Sequence, residues 1–230
     1  MSTPEASARS APVYASPGSF TFAALAAAFC TLLLVSTIGA TKGIRLGPVF
    51  TDGGVFVFPL TYVIGDILSE VFGWKAARRT ILLGFALMVI SIVTFWLVTI
   101  SPAAPGYTGQ ESFATVFGVV PRIVLASSAA YLVGELSNAF IVSRLKARNR
   151  ERRMWQRLAS STLVGQFLDT TVFCLIAGPA IGITAVGDLI NYTAAGFALK
   201  VTVELVLLPV VTTPVIRVIK QREPSYRQVP

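Results

Sequence analysis

Six stretches of this chain are apolar over about 20 residues or more, the length an α-helix needs to cross a hydrocarbon core of roughly 30 Å. They lie at about 19–41, 52–73, 78–100, 119–143, 156–178 and 186–212. A chain of 230 residues built around them has little length left for a water-soluble domain. Composition agrees, with 54% hydrophobic and only 13% charged residues. A soluble domain carries about 25% charged residues because it must solvate its outside. The expected fold is therefore all-α, a polytopic membrane protein of six transmembrane helices occupying residues 19–220. Residues 1–18, rich in Ser, Pro and Ala, read as a disordered cytoplasmic tail, and 221–230 as a second polar tail. Segment 101–118 reads as an extramembrane loop with a short interfacial helix near 110–117.

Loop charges set the orientation, because Lys and Arg accumulate on the cytoplasmic side. The tail before the first stretch, the loops after the second and fourth, and the tail after the sixth together hold fifteen of the 19 bases. The opposite side holds only Lys42 and Arg45, so both termini are expected in the cytoplasm of a cell-membrane protein. The basic run 144–157 then reads as a topology signal beside anionic headgroups. It lacks the interleaved aromatics of a nucleic-acid surface, so no nucleic-acid partner is expected. Histidine is absent and the two cysteines, Cys30 and Cys174, lie inside apolar runs. That pattern offers neither a zinc site nor a disulfide framework, and no metal or cofactor is expected.

Five acids nevertheless fall inside the stretches: Asp66, Glu70, Glu135, Asp169 and Glu204. Lys200 joins them, and Arg122 sits near one end. A charge at membrane depth costs about 2.5 kcal/mol or more, so such groups usually face a cavity. Helical spacing gathers them into stripes. Tyr62, Asp66, Glu70 and Gly73 share one face; so do Tyr131, Glu135 and Asn138, then Thr162, Gln166, Asp169 and Phe173, and finally Gly196, Lys200 and Glu204. Four stripes imply one shared polar interior. The alternative is inter-helix adhesion, at about 0.6 kcal/mol per polar pair. Five acids against two bases also leave a surplus of negative charge, which a bound proton, an ion or a cationic solute must offset.

The second stretch contains Pro59, which suits the first turn of a helix and pushes its predecessor towards extended backbone. A helix from Pro59 to Gly73 covers only about 22 Å. Either residues 52–58 enter the bilayer as non-helical chain, as in the broken helices of transporters, or a kinked helix runs through the whole stretch.

The string Phe58-Pro-Leu-Thr-Tyr-Val-Ile-Gly-Asp-Ile-Leu-Ser-Glu-Val-Phe-Gly-Trp-Lys-Ala-Ala-Arg78 resembles the signature of the queuosine precursor transporter family, grouped with the vitamin uptake transporters. The matching positions are Pro59, Thr61, Tyr62, Asp66, Glu70, Phe72-Gly73 and Ala77-Arg78. Arg122 with Ala126-Ser127, Ser161-Thr162 with Asp169-Thr170, and Lys200 followed by Pro209 continue the pattern in order. Phe72 stands where Tyr is expected. Glu135 and Asn138 stand where the family places Gln and then Asp, so acid and amide have traded places on one helix face.

The resemblance implies a six-helix fold similar to the substrate-binding subunits of vitamin transporters. It implies import of a 7-deazaguanine such as preQ0, preQ1 or queuine for tRNA modification. Such a base presents a lactam N–H beside an exocyclic amine, an edge that one carboxylate accepts in bidentate fashion. Asp66, Glu70, Glu135 and Asp169 supply carboxylates, and Asn138, Gln166 and Thr162 supply amide and hydroxyl groups. Phe58, Tyr62, Tyr131 and Phe173 supply rings, with Arg122 and Lys200 as the bases. A non-enzymatic importer is the leading expectation, with a homodimer compatible with it. The competing one is a binding subunit that docks on a separate ATP-driven module, since no phosphate-cradling Gly-Lys-Ser/Thr loop is present. An intramembrane enzyme lacks a catalytic residue set. The surplus of acids offers a protonatable group for proton coupling, with facilitated diffusion and trapping of the base by later enzymes as the alternative.

Overall fold

The structure, a computed structural model, describes residues 12–46, 49–117, 121–149, 152–177 and 185–227. Helix α1 (Phe20–Gly39) opens on Ser19, whose hydroxyl accepts the Phe22 N–H at 3.2 Å, satisfying one of the donors that every helix N-terminus leaves open. A short antiparallel hairpin follows, β1 (Gly43–Leu46) against β2 (Val49–Asp52), with Gly43 opposite Asp52. Nothing in the residue pattern distinguishes this hairpin from a loop. A single 3₁₀ turn, Gly53–Phe56, leads into α2 (Phe58–Ile67). Helix α2 places Pro59 in its first turn and runs into a π-helical turn at Leu68–Phe72. A continuous kinked helix over 52–73 is therefore not what forms.

Gly73 ends this element at φ 81°, a left-handed conformation suited to glycine. A β-carbon there would also come within 3.1 Å of the Tyr14 ring. Helix α3 (Trp74–Ile100), α4 (Gln110–Phe117), α5 (Pro121–Asn149) and α6 (Met154–Ala177) come next. Helix α4 lies where the loop was expected to carry a short helix. Helix α7 (Val186–Leu207) passes through a π turn at Leu208–Thr212, which contains Pro209, into α8 (Thr213–Arg222). Proline removes one backbone donor, which favours such an irregular turn. A last turn spans Pro224–Arg227.

Among the described residues, four helical runs are long and apolar enough to cross a membrane: Phe20–Gly39, Trp74–Ile100, Met154–Ala177 and Val186–Arg222. Helix α5 has the length, at 29 residues, but carries Glu135, Asn138 and a basic C-terminal end. Helix α2 falls short, with ten α-helical residues and a five-residue π turn. Every residue from 61 to 73 is buried, so α2 is the centre of the bundle. A helix apolar nearly all round belongs in such a position. The outside of α3 is the opposite case: Leu83, Ile90, Trp96, Leu97 and Ile100 are each at least half exposed. Contiguous apolar surface of this kind marks contact with lipid.

The tail expected to be disordered is ordered at residues 12–18. Residues 12–18 pack on the bundle, with the Ala15 N–H on the Val71 carbonyl at 2.8 Å and Ala15 itself buried. Residues 1–11 lie outside the described residues. The C-terminal tail is likewise docked where it is described. The Ser16 N–H donates to Ser225 Oγ at 2.9 Å, so the first and last described segments meet at one end of the bundle.

Candidate functional site

Helices α2, α5, α6 and α7 converge on one buried polar cluster. Asp66, Glu135, Asn138, Thr162, Gln166, Asp169 and Glu204 are all buried, as the stripe spacing required. Asn138 Nδ2 donates to Asp66 Oδ1 at 2.8 Å. Lys200 Nζ forms an ion pair with Asp169 Oδ2, and Gln166 Nε2 donates to Glu204 Oε1. The Lys200 ammonium also lies 5.1 Å from the centre of the Phe58 ring, within reach of a cation–π attraction. Above the acids, Phe58, Tyr62 and Tyr131 form an edge-to-face trio with centroids 5.2, 6.1 and 6.3 Å apart.

Glu135 differs from its neighbours. Both of its carboxylate oxygens are buried and have no hydrogen-bond partner among the described residues. The Tyr62 hydroxyl, Asn138 Oδ1, Gln166 Oε1 and the Thr170 hydroxyl share that condition. Leaving a buried polar group unpaired costs about 1–3 kcal/mol, and more for a charged one. Several such groups at one place are not an economical way to hold helices together. Open donors and acceptors of this kind are what a ligand carrying both could engage.

Three glycines make the convergence possible. A β-carbon on Gly65 would fall 1.7 Å from Glu135 Oε1, so the acid lies directly on the α2 backbone. At the α5–α6 crossing, a β-carbon on Gly134 would sit 2.7 Å from Asp169 Cβ, 2.9 Å from the Gly165 carbonyl oxygen and 3.0 Å from the Tyr62 hydroxyl. One on Gly165 would meet Asn138 Cβ at 2.9 Å and the Gly134 carbonyl at 3.0 Å. Small residues let membrane helices approach this closely. The close crossing is what brings Glu135 and Asn138 to face Gln166 and Asp169.

Glu70 does not join them, although it lies one turn from Asp66. Its π turn points it to the end of the bundle where the chain ends meet. Arg157 grips it with both prongs, Nε to Oε2 at 2.7 Å and Nη2 to Oε1 at 2.5 Å. Lys220 Nζ donates to Oε1 at 2.6 Å. Lys146 Nζ donates to the Glu70 carbonyl at 2.6 Å and the Val13 carbonyl at 2.8 Å, and sits 4.6 Å from the centre of the Tyr14 ring. Glu70, Lys146 and Arg157 are essentially inaccessible. The expectation that Glu70 serves the cavity is thus corrected: its carboxylate is committed to bases. Two members of the basic run 144–157, read from sequence as a surface topology signal, are buried structural partners. No periodicity could have found these pairings, because they link residues 87 and 150 positions apart.

Two further expectations shift. Phe173 is only half-buried and takes no part in the ring trio. Phe29 of α1 is the fourth ring, 6.4 Å from Tyr131. The Arg122 side chain lies outside the described residues. Glu204, noted in the sequence as an acid at membrane depth but not assigned to the solute, belongs to the cluster through Gln166.

Residues 52–213 match a protein-family model described as "Putative vitamin uptake transporter". A "Probable queuosine precursor transporter" of Bacillus subtilis (strain 168) is 26% identical over 176 residues, 76% of each chain. The "Queuosine precursor transporter" of Escherichia coli (strain K12) is 31% identical over 55% of each chain. A "Probable queuosine precursor transporter" of Haemophilus influenzae is 30% identical over 54% of this chain and 50% of its own. The chain thus matches about half the length of these last two relatives. No solved structure matches it. With the family match covering α2 through the π turn after α7, and with apolar helices able to cross a bilayer, the chain belongs to the vitamin uptake transporter family and is a multi-pass membrane protein, a transporter rather than an enzyme.

Proposed function

We propose that this protein imports a queuosine precursor, a 7-deazaguanine base, across the cell membrane. The single observation that carries the reading is the free Glu135 carboxylate at the centre of the polar cluster. Asp66, Asp169, Glu204 and Glu70 each have a side-chain partner; Glu135 has none among the described residues. A 7-deazaguanine offers that carboxylate two parallel donors, its lactam N–H and its exocyclic amine. Its carbonyl oxygen matches the donor capacity of the Tyr62 or Thr170 hydroxyl. Its flat faces match the rings of Phe58, Tyr62 and Tyr131. The names of the three relatives support the same class of solute.

The reading includes six spans with both termini cytoplasmic. Helices α1, α3, α6 and α7–α8 have the length and apolarity. Helix α5 crosses with its polar face turned to the cluster, and α2 crosses as a short helix, buried from Thr61 onward and approached by the hairpin. The fifteen loop bases and the meeting of the first and last described segments favour one cytoplasmic end.

The solute reading is tested in a bacterium that can neither make nor import the base. Expression of the protein should restore queuosine in its tRNA when preQ1 is supplied, and Glu135→Gln should not. Restoration by Glu135→Gln at the rate of the unaltered protein would refute the assignment. For the orientation, Asn149→Cys should react with thiol reagents only from inside the cell. Cys30 and Cys174 are buried and should contribute little background. Labelling from outside intact cells would overturn the topology.

A further inference from the structure

A second polar site lies outside the central cluster, in an open groove of about 590 Å³ between the start of α6 and α8. Arg153, Arg217 and Lys220 line it together with Trp155, Pro209 and Thr213. The Arg153 and Arg217 side chains are exposed and have no carboxylate partner among the described residues. Lys220 is held on Glu70 and over the Tyr226 ring, at the groove wall. Thr213 is more than nine-tenths buried, and its hydroxyl has no hydrogen-bond partner among the described residues. The first turn of α6 also borders the groove, and the N-terminal end of a helix favours negative charge. Trp155 is half exposed at the same level, as interfacial tryptophans of membrane proteins are.

We propose that this groove binds the phosphate of an anionic phospholipid headgroup. Two guanidiniums without acidic partners, a buried hydroxyl able to donate, and a helix N-terminus are the groups a phosphate diester requires. A zwitterionic headgroup brings a cation that the bases repel. The acyl chains of the lipid would continue along the exposed apolar side of α7 and the π turn after it, where Val206 and Val210 are more than half exposed. The inference depends on the chain's membrane location and not on its cargo. Because Lys220 joins the groove to the Glu70 cluster, the bound lipid would also brace the end of the bundle where the two chain ends meet.

The test is native mass spectrometry of the detergent-purified full chain, titrated with phosphatidylglycerol or phosphatidylcholine. The unaltered protein should retain one phosphatidylglycerol under conditions that strip phosphatidylcholine. In the double variant Arg153→Gln with Arg217→Gln, retention should fall about tenfold or more, since each base near the headgroup plane contributes appreciably. Thr213→Val, which removes the hydroxyl at nearly constant volume, should give a smaller loss in the same direction. Both arginines are exposed, so folding is expected to survive, and unchanged melting of the double variant would verify it. Equal retention of the two lipids, or unchanged phosphatidylglycerol binding in the double variant, would overturn the proposal. So would displacement of the lipid by an equal concentration of inorganic phosphate, which would assign the groove to the free ion.

Discussion

Asp66 and Glu70 lie four residues apart on one helix, yet they belong to opposite kinds of polar site. Around Asp66 the groups are under-satisfied. Glu135 has both oxygens unpaired, and the Tyr62 hydroxyl, Asn138 Oδ1 and Gln166 Oε1 await partners. Around Glu70 they are fully engaged: one carboxylate receives Arg157 in bidentate fashion and Lys220, while Lys146 caps its carbonyl. Burial is equally deep in both. The difference separates a cluster with open valences, which the proposed ligand site needs, from one whose central carboxylate is closed among bases. The π turn at Leu68–Phe72 separates the two by redirecting the last residues of α2 away from the stripe on which Asp66 lies.

The contrast can be broken most directly at Glu135. Replacing it with Gln removes one acceptor and the charge, so uptake of preQ1 should fall about 100-fold, the equivalent of losing two hydrogen bonds to a charged group. Thermal stability and membrane insertion should hold or improve, because an unpaired buried carboxyl group has gone. A variant that loses stability and transports normally would place Glu135 with the architecture. Glu70→Gln should show the reverse pattern. Arg157, Lys146 and Lys220 would lose their common anion, at about 3–5 kcal/mol for breaking a buried ion pair. The readout is a large drop in melting temperature in detergent, with the affinity of the surviving folded protein for the base little changed.

Asp169→Asn tests the boundary between the two classes, since Asp169 faces the cluster but is already paired with Lys200. Uptake should fall about tenfold, less than at Glu135, because one charge-assisted contact is weakened rather than a free acceptor removed. An effect as large as that of Glu135→Gln would mean that the Lys200 pair opens during transport. Gly165→Ala probes the frame that holds the open site. The added methyl group would press on Asn138 Cβ and the Gly134 carbonyl, at about 1–3 kcal/mol for overpacking. It should lower stability modestly and weaken base binding by displacing α5 from α6. The smallest effect on uptake is expected from Lys146→Met, which keeps the stem between the Tyr14 and Tyr226 rings but leaves the Glu70 and Val13 carbonyls without their ammonium donor. Faster proteolysis of residues 12–18 in the purified protein would report that release.

The sequence alone established the membrane character, because stretches of this length and apolarity have no other stable home. Its 3.6-residue periodicity also placed Tyr62, Asp66, Tyr131, Glu135, Asn138, Gln166, Asp169 and Lys200 on inward faces, and the structure brings these together. Pro59 announced where α2 begins, since proline allows a helix start and opposes its continuation upstream. Periodicity describes one helix at a time, however, and says nothing about which stripe faces which. That was decided by the glycine crossing of α5 on α6 and by Gly65 beneath Glu135, where the absence of a side chain sets the approach. Only the tertiary structure could distinguish Glu70 from Asp66, because the bases that claim Glu70 come from three distant segments. It likewise turned Lys146 and Arg157 from surface charges into buried partners, and left Glu135 as the acid whose bonds remain to be made.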